Sequence, residues 1–255
     1  MKIELKNLTL GYDKNIIIND QSLEFIDGKI NAIIGKNGCG KSTLFKALSK
    51  QLKPINGKLF LNDLNITKIN HKDFVKNISI LFQENVAPND ITVRKLISYG
   101  RFPYIGIFSE LSENDNKIID ESIDILDLKK LENYKLNELS SGQKQMVWLA
   151  MLLAQDTKII LLDEPTTYLD LKNQFQIMNC IQRINKELNK TIILILHDIN
   201  LVSIYADYVY MLKDKQIKYY GKTNDILTKN NIKDIFDINV SIFKDNNKTL
   251  ICPIN

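Results

Sequence analysis

A chain of 255 residues with 44% hydrophobic content can fill one large core, and a single folded unit is the expectation. Its 34 basic residues against 30 acidic ones leave a net charge of +4, too balanced to indicate a nucleic-acid partner. Three scattered cysteines, Cys39, Cys180 and Cys252, form neither a CxxC pair nor a Cys/His cluster, which excludes a disulfide framework and a zinc site and fits a reducing cytoplasm.

Residues 1–10 alternate apolar and charged side chains, the pattern of a strand and not of a signal peptide. Further strands are expected at 29–34, 58–61 and 78–82, with turns at Asp27-Gly28 and Asn56-Gly57. From 92 to about 154 the apolar spacing becomes helical, as in Ile118, Ile119, Ile123, Ile125 and Leu126, and marks an inserted helical subdomain. Strand-length apolar runs at 158–162, 191–196 and 208–212 then alternate with helices over about 172–188 and 201–206. That alternation predicts an α/β fold with a parallel sheet and crossover helices. The most apolar runs, 159–162 and 192–196, fall far short of the roughly 20 residues of a membrane-spanning helix, so any membrane role is expected to come through a partner. The tail from about 223 reads as a short helix with two weak strands.

The segment Gly35-Lys36-Asn37-Gly38-Cys39-Gly40-Lys41-Ser42-Thr43 follows a predicted strand and opens a helix at Ser42, which is the context a P-loop requires. Glycines at 35, 38 and 40 let backbone N–H groups converge on a phosphate, and the helix N-terminus adds partial positive charge. Lys41 neutralises the β- and γ-oxygens, and Ser42 offers a hydroxyl to Mg²⁺. The apolar run 159–162 ends in Asp163-Glu164. Asp163 is the candidate second metal ligand, and Glu164 the candidate acceptor for a proton from the water that attacks the γ-phosphate. In Leu139-Ser140-Ser141-Gly142-Gln143, a serine and a glycine open a helix that continues through Met146, Leu149 and Leu153. This is either a plain serine N-cap or an anion site without its own lysine, half of a site.

The segment 139–143 resembles the ABC signature. The order P-loop, Gln83, signature, Asp163-Glu164, His197 is that of ABC ATPases, and the resemblance runs over essentially the whole chain. It implies a P-loop NTPase core, with an N-terminal antiparallel β subdomain, at about 1–90 and 156–255, and a helical subdomain carrying the signature at about 91–155. It also implies that Tyr12 stacks on adenine, against the alternative of a core tyrosine. Gln83 is then the Q-loop glutamine that touches Mg²⁺, Asp170 the D-loop aspartate that meets a second subunit, and His197 the switch histidine. Asn37, Cys39, Thr43, Ser140, Ser141, Gly142 and Gln143 complete the implied nucleotide contacts. His71, the other histidine, stands in a polar stretch and is expected to face solvent.

The family mechanism implies ATP and Mg²⁺, a two-fold dimer of two copies, transmembrane permease subunits and, indirectly, a substrate-binding protein, with the chain on the cytoplasmic face of the membrane. Asn37-Gly38-Cys39-Gly40-Lys41, Gly100-Arg101-Phe102-Pro103-Tyr104, Trp148-Leu149-Ala150-Met151, Pro165-Thr166-Thr167-Tyr168-Leu169-Asp170 and Tyr205-Ala206-Asp207 resemble ATPases of importers for ferric siderophores, haem and cobalamin. Residues 100–108 either line the groove that receives the permease or pack the helical subdomain. Three positions depart from the family pattern: Lys36 replaces proline, Ser141 replaces glycine, and Met146 replaces arginine. None removes a catalytic group. Cys39 is either a redox-sensitive thiol or a small residue that fits between two glycines. Competing readings are a soluble ABC ATPase of Fe–S cluster assembly, the ATPase of another metal-ion importer, and a non-hydrolysing regulator.

Overall fold

The computed structural model describes residues 1–13, 15–88, 90–105, 110–245 and 248–254. The chain divides into two compact units, Met1–Ile69 with Thr191–Asn255, and Asn70–Lys190. The first unit opens with β1 (Ile3–Tyr12), β2 (Asn15–Phe25), β3 (Ile30–Gly35), α1 (Lys41–Leu48), β4 (Asn56–Leu61) and β5 (Leu64–Asn65). The second holds α2 (His71–Asn77), β6 (Ile78–Leu81), α3 (Val93–Ser98), α4 (Glu113–Ile125), α5 (Ser141–Ala154), β7 (Ile159–Asp163) and α6 (Leu171–Leu188). The chain then returns to the first unit through β8 (Thr191–Ile195), α7 (Ile199–Tyr205), β9 (Tyr208–Lys213), β10 (Gln216–Lys222), α8 (Thr223–Ile226), α9 (Lys229–Phe236), β11 (Asn239–Asp245) and β12 (Lys248–Ile254).

In the first unit β3 is flanked by β8 and β9, both parallel to it, and β10 adds antiparallel to β9. All residues of β3 and β8 are buried, as a strand covered on both faces requires, and this is why each reads as an unbroken apolar run. Asn31 is the polar exception in β3, and Thr191 opens β8. The Asn31 amide donates to the carbonyls of Ile26, Lys29 and Ile192, and its oxygen accepts from Ile26 N and the Tyr210 hydroxyl, so no buried polar atom of it is wasted. A second sheet, in the order β2-β1-β4-β5, supplies the expected antiparallel β part.

Three strands were not anticipated: the two-residue β5, β2 and β10. β2 is interrupted by the polar run Asn19-Asp20-Gln21, where its register with β1 slips; Asp20 has φ 46° and Asn7 opposite it φ 47°, joined by a 3.1 Å side-chain hydrogen bond. Such a bulge breaks the period-two pattern that betrays a strand. β10 is joined to β9 through Asp214 and Lys215, both at positive φ (50° and 64°), a tight hairpin turn made without glycine.

In the second unit β6 pairs parallel with β7 in the register Ile78↔Ile159 to Leu81↔Leu162, so Gln83 and Asp163-Glu164 emerge from the same ends of neighbouring strands. Arg101, only 4% exposed, fastens the helical part: its Nε donates to Asp115 Oδ1 at 2.8 Å and its Nη1 to the Ala154 carbonyl at 2.8 Å. Asp115 also closes a capping box with Ser112 at the start of α4. Among the described residues no helix is long and apolar enough to cross a membrane.

Candidate active site

The P-loop lies in the first unit between β3 and α1. The helix opens at Lys41, one residue before the expected Ser42, because Gly40 forms its N-cap with φ 111°. A Cβ on Gly40 would fall 2.9 Å from Ile17 Cγ2, and one on Gly35 would fall 2.6 Å from the Leu212 carbonyl oxygen. Both positions therefore exclude any side chain. Lys41 is 5% exposed and curls beneath the loop, its Nζ donating to the carbonyls of Gly35 (2.9 Å) and Lys36 (3.0 Å). These bonds use two of three ammonium donors and leave one for an anion held by the loop. Asn37, Gly38 and Ser42 are exposed, while Thr43 is buried in the core beneath.

Lys36 forms an ion pair with Asp237, the residue that ends α9, and that hydrogen bond holds the Asp237 carboxyl below its usual range. The residue in place of proline thus ties the loop to the C-terminal segment. Burial pushes the Cys39 thiol above its ordinary value despite nearby Lys41, which favours a small packing residue over a reactive thiolate. Tyr12 is 45% exposed at the end of β1, with Lys46 Nζ 5.8 Å from its ring centroid, so it is not a core tyrosine. His197 is exposed just past β8, next to β3 in the sheet, and the following Asp198 caps α7 by accepting from the Asn200 and Leu201 amides. His71, at the start of α2, is also exposed.

The second unit brings Gln83, Asp163 and Glu164 together. Asp163 is half-buried at the end of β7. Glu164 has φ 50°, a left-handed backbone that costs a non-glycine residue about 1 kcal/mol. Its Oε2 accepts hydrogen bonds from Gln83 Nε2 at 3.0 Å and Thr167 Oγ1 at 3.1 Å. Among the described residues there is no cluster of three His, Cys, Asp or Glu side chains that could hold a metal ion on its own. The Asp163 carboxylate and the Gln83 amide oxygen in this unit, and the Ser42 hydroxyl in the first, are each hard donors of the kind that suits Mg²⁺, an ion that completes its shell with water and substrate phosphate.

The signature forms the N-terminus of α5. Ser140 Oγ accepts from Gln143 N at 3.3 Å and Gln143 Oε1 accepts from Ser140 N at 2.9 Å, a reciprocal capping box that leaves Ser140, Ser141 and Gln143 at the surface. Gly142 is buried against Asn173: a Cβ there would stand 2.6 Å from Asn173 Cγ. Asn173 in turn donates from Nδ2 to Asp170 Oδ2 at 2.9 Å, and Asp170 Oδ1 caps α6 by accepting from Asn173 N at 2.8 Å. Asn173 therefore connects the signature with Asp170, and Thr167 touches Glu164. Sequence reasoning identified neither, and the only signal was a polar residue three positions after a capping or site carboxylate. Met146, in place of arginine, is buried in the core.

Part of the stretch 100–105 packs the helical part, one of the two alternatives foreseen for it. A Cβ on Gly100 would meet the Met151 carbonyl at 2.3 Å and Arg101 is buried, so these two pack the helical part. Phe102 is 57% exposed, and Tyr104 lies at the surface with its hydroxyl donating to the Gln155 carbonyl. Residues 106–108, in the same expected stretch, lie outside the described residues.

The family model described as ABC transporter matches residues 18–167. The chain is 38% identical to the petrobactin import ATP-binding protein of Bacillus anthracis, over 95% of this chain and 89% of that protein. It is 37% identical to the iron(3+)-hydroxamate import ATP-binding protein of Bacillus subtilis (strain 168), over 95% and 90% respectively. Among solved structures, a metal-chelate type ABC transporter in an inward-facing conformation aligns over 99% of this chain and 97% of its own, with a TM-score of 0.85 at 26% identity.

Proposed function

The chain belongs to the ABC transporter family of ATP-binding subunits, ATPases coupled to transport, and on that premise we propose that its P-loop and its Glu164 act on one MgATP within a closed dimer of two copies. Cassettes of this family dimerise and work with transmembrane permease subunits. The reading is carried by the P-loop, whose Gly35 and Gly40 leave no room for a side chain and whose Lys41 keeps one donor for a phosphate.

In this reading Tyr12 stacks on adenine, and the backbone N–H groups of 35–43 with Lys41 hold the β- and γ-phosphates. Ser42, Gln83 and Asp163, the last through water, would hold Mg²⁺, which neutralises charge on the phosphate oxygens when bound. Glu164 orients a water and takes its proton as the water oxygen bonds to the γ-phosphorus and the bond to the β-phosphate oxygen breaks, releasing ADP and phosphate. His197 donates to a γ-phosphate oxygen. Ser140, Ser141, Gly142 and Gln143 of one copy complete the site of the other, and Asp170 meets the opposite copy. Closure is favoured by ATP because only the closed dimer offers the signature to the γ-phosphate.

Iron-chelate import is the transport we assign, supported by the import proteins of similar sequence. The chain then sits on the cytoplasmic face of the membrane, held there by a permease that receives Phe102 and Tyr104, with a substrate-binding protein delivering cargo to that permease. An Fe–S assembly ATPase would instead fail to copurify with membranes and a permease.

A mixing experiment tests the shared site. Lys41→Ala disables a copy's own P-loop, and Gly142→Ala its signature. A mixed dimer keeps one site with both parts intact. Recovery of ATP hydrolysis above the average of the two separate variants supports a site built from two chains. A mixture that only averages them refutes it.

A further inference from the structure

Two side chains donate to the same oxygen of Glu164, and only Gln83 has a part in the reading above. The other, Thr167, is half-buried and held in place independently of Glu164's carboxylate. Its backbone N–H donates to the Glu164 carbonyl at 3.2 Å, closing a turn that begins at the left-handed Glu164. The same turn is fastened to α5 by Gln145, whose Nε2 donates to the Pro165 carbonyl at 3.0 Å. The fastened turn thereby carries Thr167 to where its Oγ1 stands 3.1 Å from Glu164 Oε2. Gln83, by contrast, is exposed beyond the end of β6 and reaches the carboxylate with a longer side chain.

We propose that Thr167 is a positioning residue for Glu164, its hydroxyl fixing the carboxylate's orientation. The inference rests on the assignment of Glu164 as proton acceptor. A carboxylate on a side chain with three rotatable bonds loses rate when its reacting oxygen strays by even an ångström, so a donor carried on a fastened turn contributes to turnover without touching the nucleotide. Since the hydroxyl makes no contribution to nucleotide binding in this account, its removal separates kcat from KM.

The test compares Thr167→Val, which keeps the shape without the hydroxyl, with Thr167→Ser, which keeps the hydroxyl, and with Glu164→Gln. ATP turnover, KM for ATP, metal-free nucleotide affinity and ATP-bound dimer on size-exclusion chromatography are read for each. The expected result is a kcat about tenfold lower for Thr167→Val with KM and metal-free affinity within twofold of wild type. Its ATP-bound dimer should accumulate, and Thr167→Ser should return to within twofold of wild-type turnover. If Thr167→Val does not fold, Thr167→Ala takes its place against Thr167→Ser. Wild-type turnover in the hydroxyl-free variant, a parallel change in KM, or failure of Thr167→Ser to restore turnover overturns the proposal. Where Glu164→Gln is inactive alongside any of these, only the positioning role falls. If Glu164→Gln itself turns over normally, the assignment of Glu164 falls first and the role of Thr167 with it.

Discussion

Replacing Arg101 with Met removes a buried cation while keeping much of its apolar stem. The change deletes the bonds to Asp115 and the Ala154 carbonyl, and the contact of the guanidinium with the Tyr104 ring at 4.1 Å. It strands a carboxylate that is 8% exposed. Stranding one partner of a buried ion pair costs about 3–5 kcal/mol. Asp115 keeps hydrogen bonds from Ser112 N (3.0 Å) and Ser112 Oγ (2.6 Å), so the lower end, about 3 kcal/mol, is expected. Trp148, the only tryptophan, lies on α5 in the same unit, so its fluorescence during urea unfolding reports on this part of the chain. A loss of about 3 kcal/mol moves the urea midpoint down by about 1–3 M. Adding Asp115→Asn to the variant removes the stranded charge and should recover about 1 kcal/mol or more. The Ser112 hydrogen bond first, and then Arg101, holds the Asp115 carboxyl below its ordinary value. Its stabilising contribution is therefore full above the ordinary aspartate value of about 4 and is lost as pH falls through the lower folded-state value. The penalty of Arg101→Met should shrink as pH falls from the point where the stranded carboxylate protonates, which lies above the wild-type folded-state value, down to that value. A variant within about 0.5 kcal/mol of wild type, or an Asp115→Asn effect that is unchanged by the Arg101 substitution, would refute the ion-pair argument.

Lys41→Ala should weaken ATP binding by about 10- to 100-fold, the equivalent of one charge-assisted hydrogen bond of about 1.5–3 kcal/mol, in a titration with fluorescent nucleotide. Gly142→Ala places a methyl against Asn173, whose amide can move only by giving up Asp170. Stability measured by urea should stay within about 1 kcal/mol, because alanine gains helix propensity, while turnover falls about tenfold or more as the signature and Asp170 shift together. Ser141→Gly, by contrast, keeps the backbone N–H that residue 141 offers at the first position of α5 and restores the glycine of the family pattern, so turnover should stay within about threefold in the same assay.

What the sequence made legible was what phosphate chemistry constrains along the chain. The run 35–43, the carboxylates 163 and 164, and the serine-glycine start of α5 are local patterns, and their order carries the family likeness. Positions whose role arises in the turn or between helices gave no comparable signal. Thr167 matters because a left-handed Glu164 folds the next three residues back on its carboxylate, and Asn173 because α6 packs beside the start of α5. Arg101 stands in a charged, helical stretch where an arginine ordinarily reads as solvent-facing, yet its charge is consumed inside the fold. β2 was hidden by its bulge at Asp20, and β10 by a hairpin turn of two non-glycine residues at positive φ. The contribution of a second chain to the site was legible only through family likeness, since half of an anion site at a helix N-terminus looks the same as an ordinary serine cap.

The central claim, that Glu164 drives hydrolysis of ATP enclosed between two copies, is tested most directly by purified wild type and Glu164→Gln. Turnover and size-exclusion behaviour in ATP and Mg²⁺ would be compared for the two. Wild type should turn over, and the variant should lose at least about 100-fold in rate and elute as an ATP-bound dimer. A variant that hydrolyses ATP as fast as wild type, with neither protein forming a dimer, would contradict it.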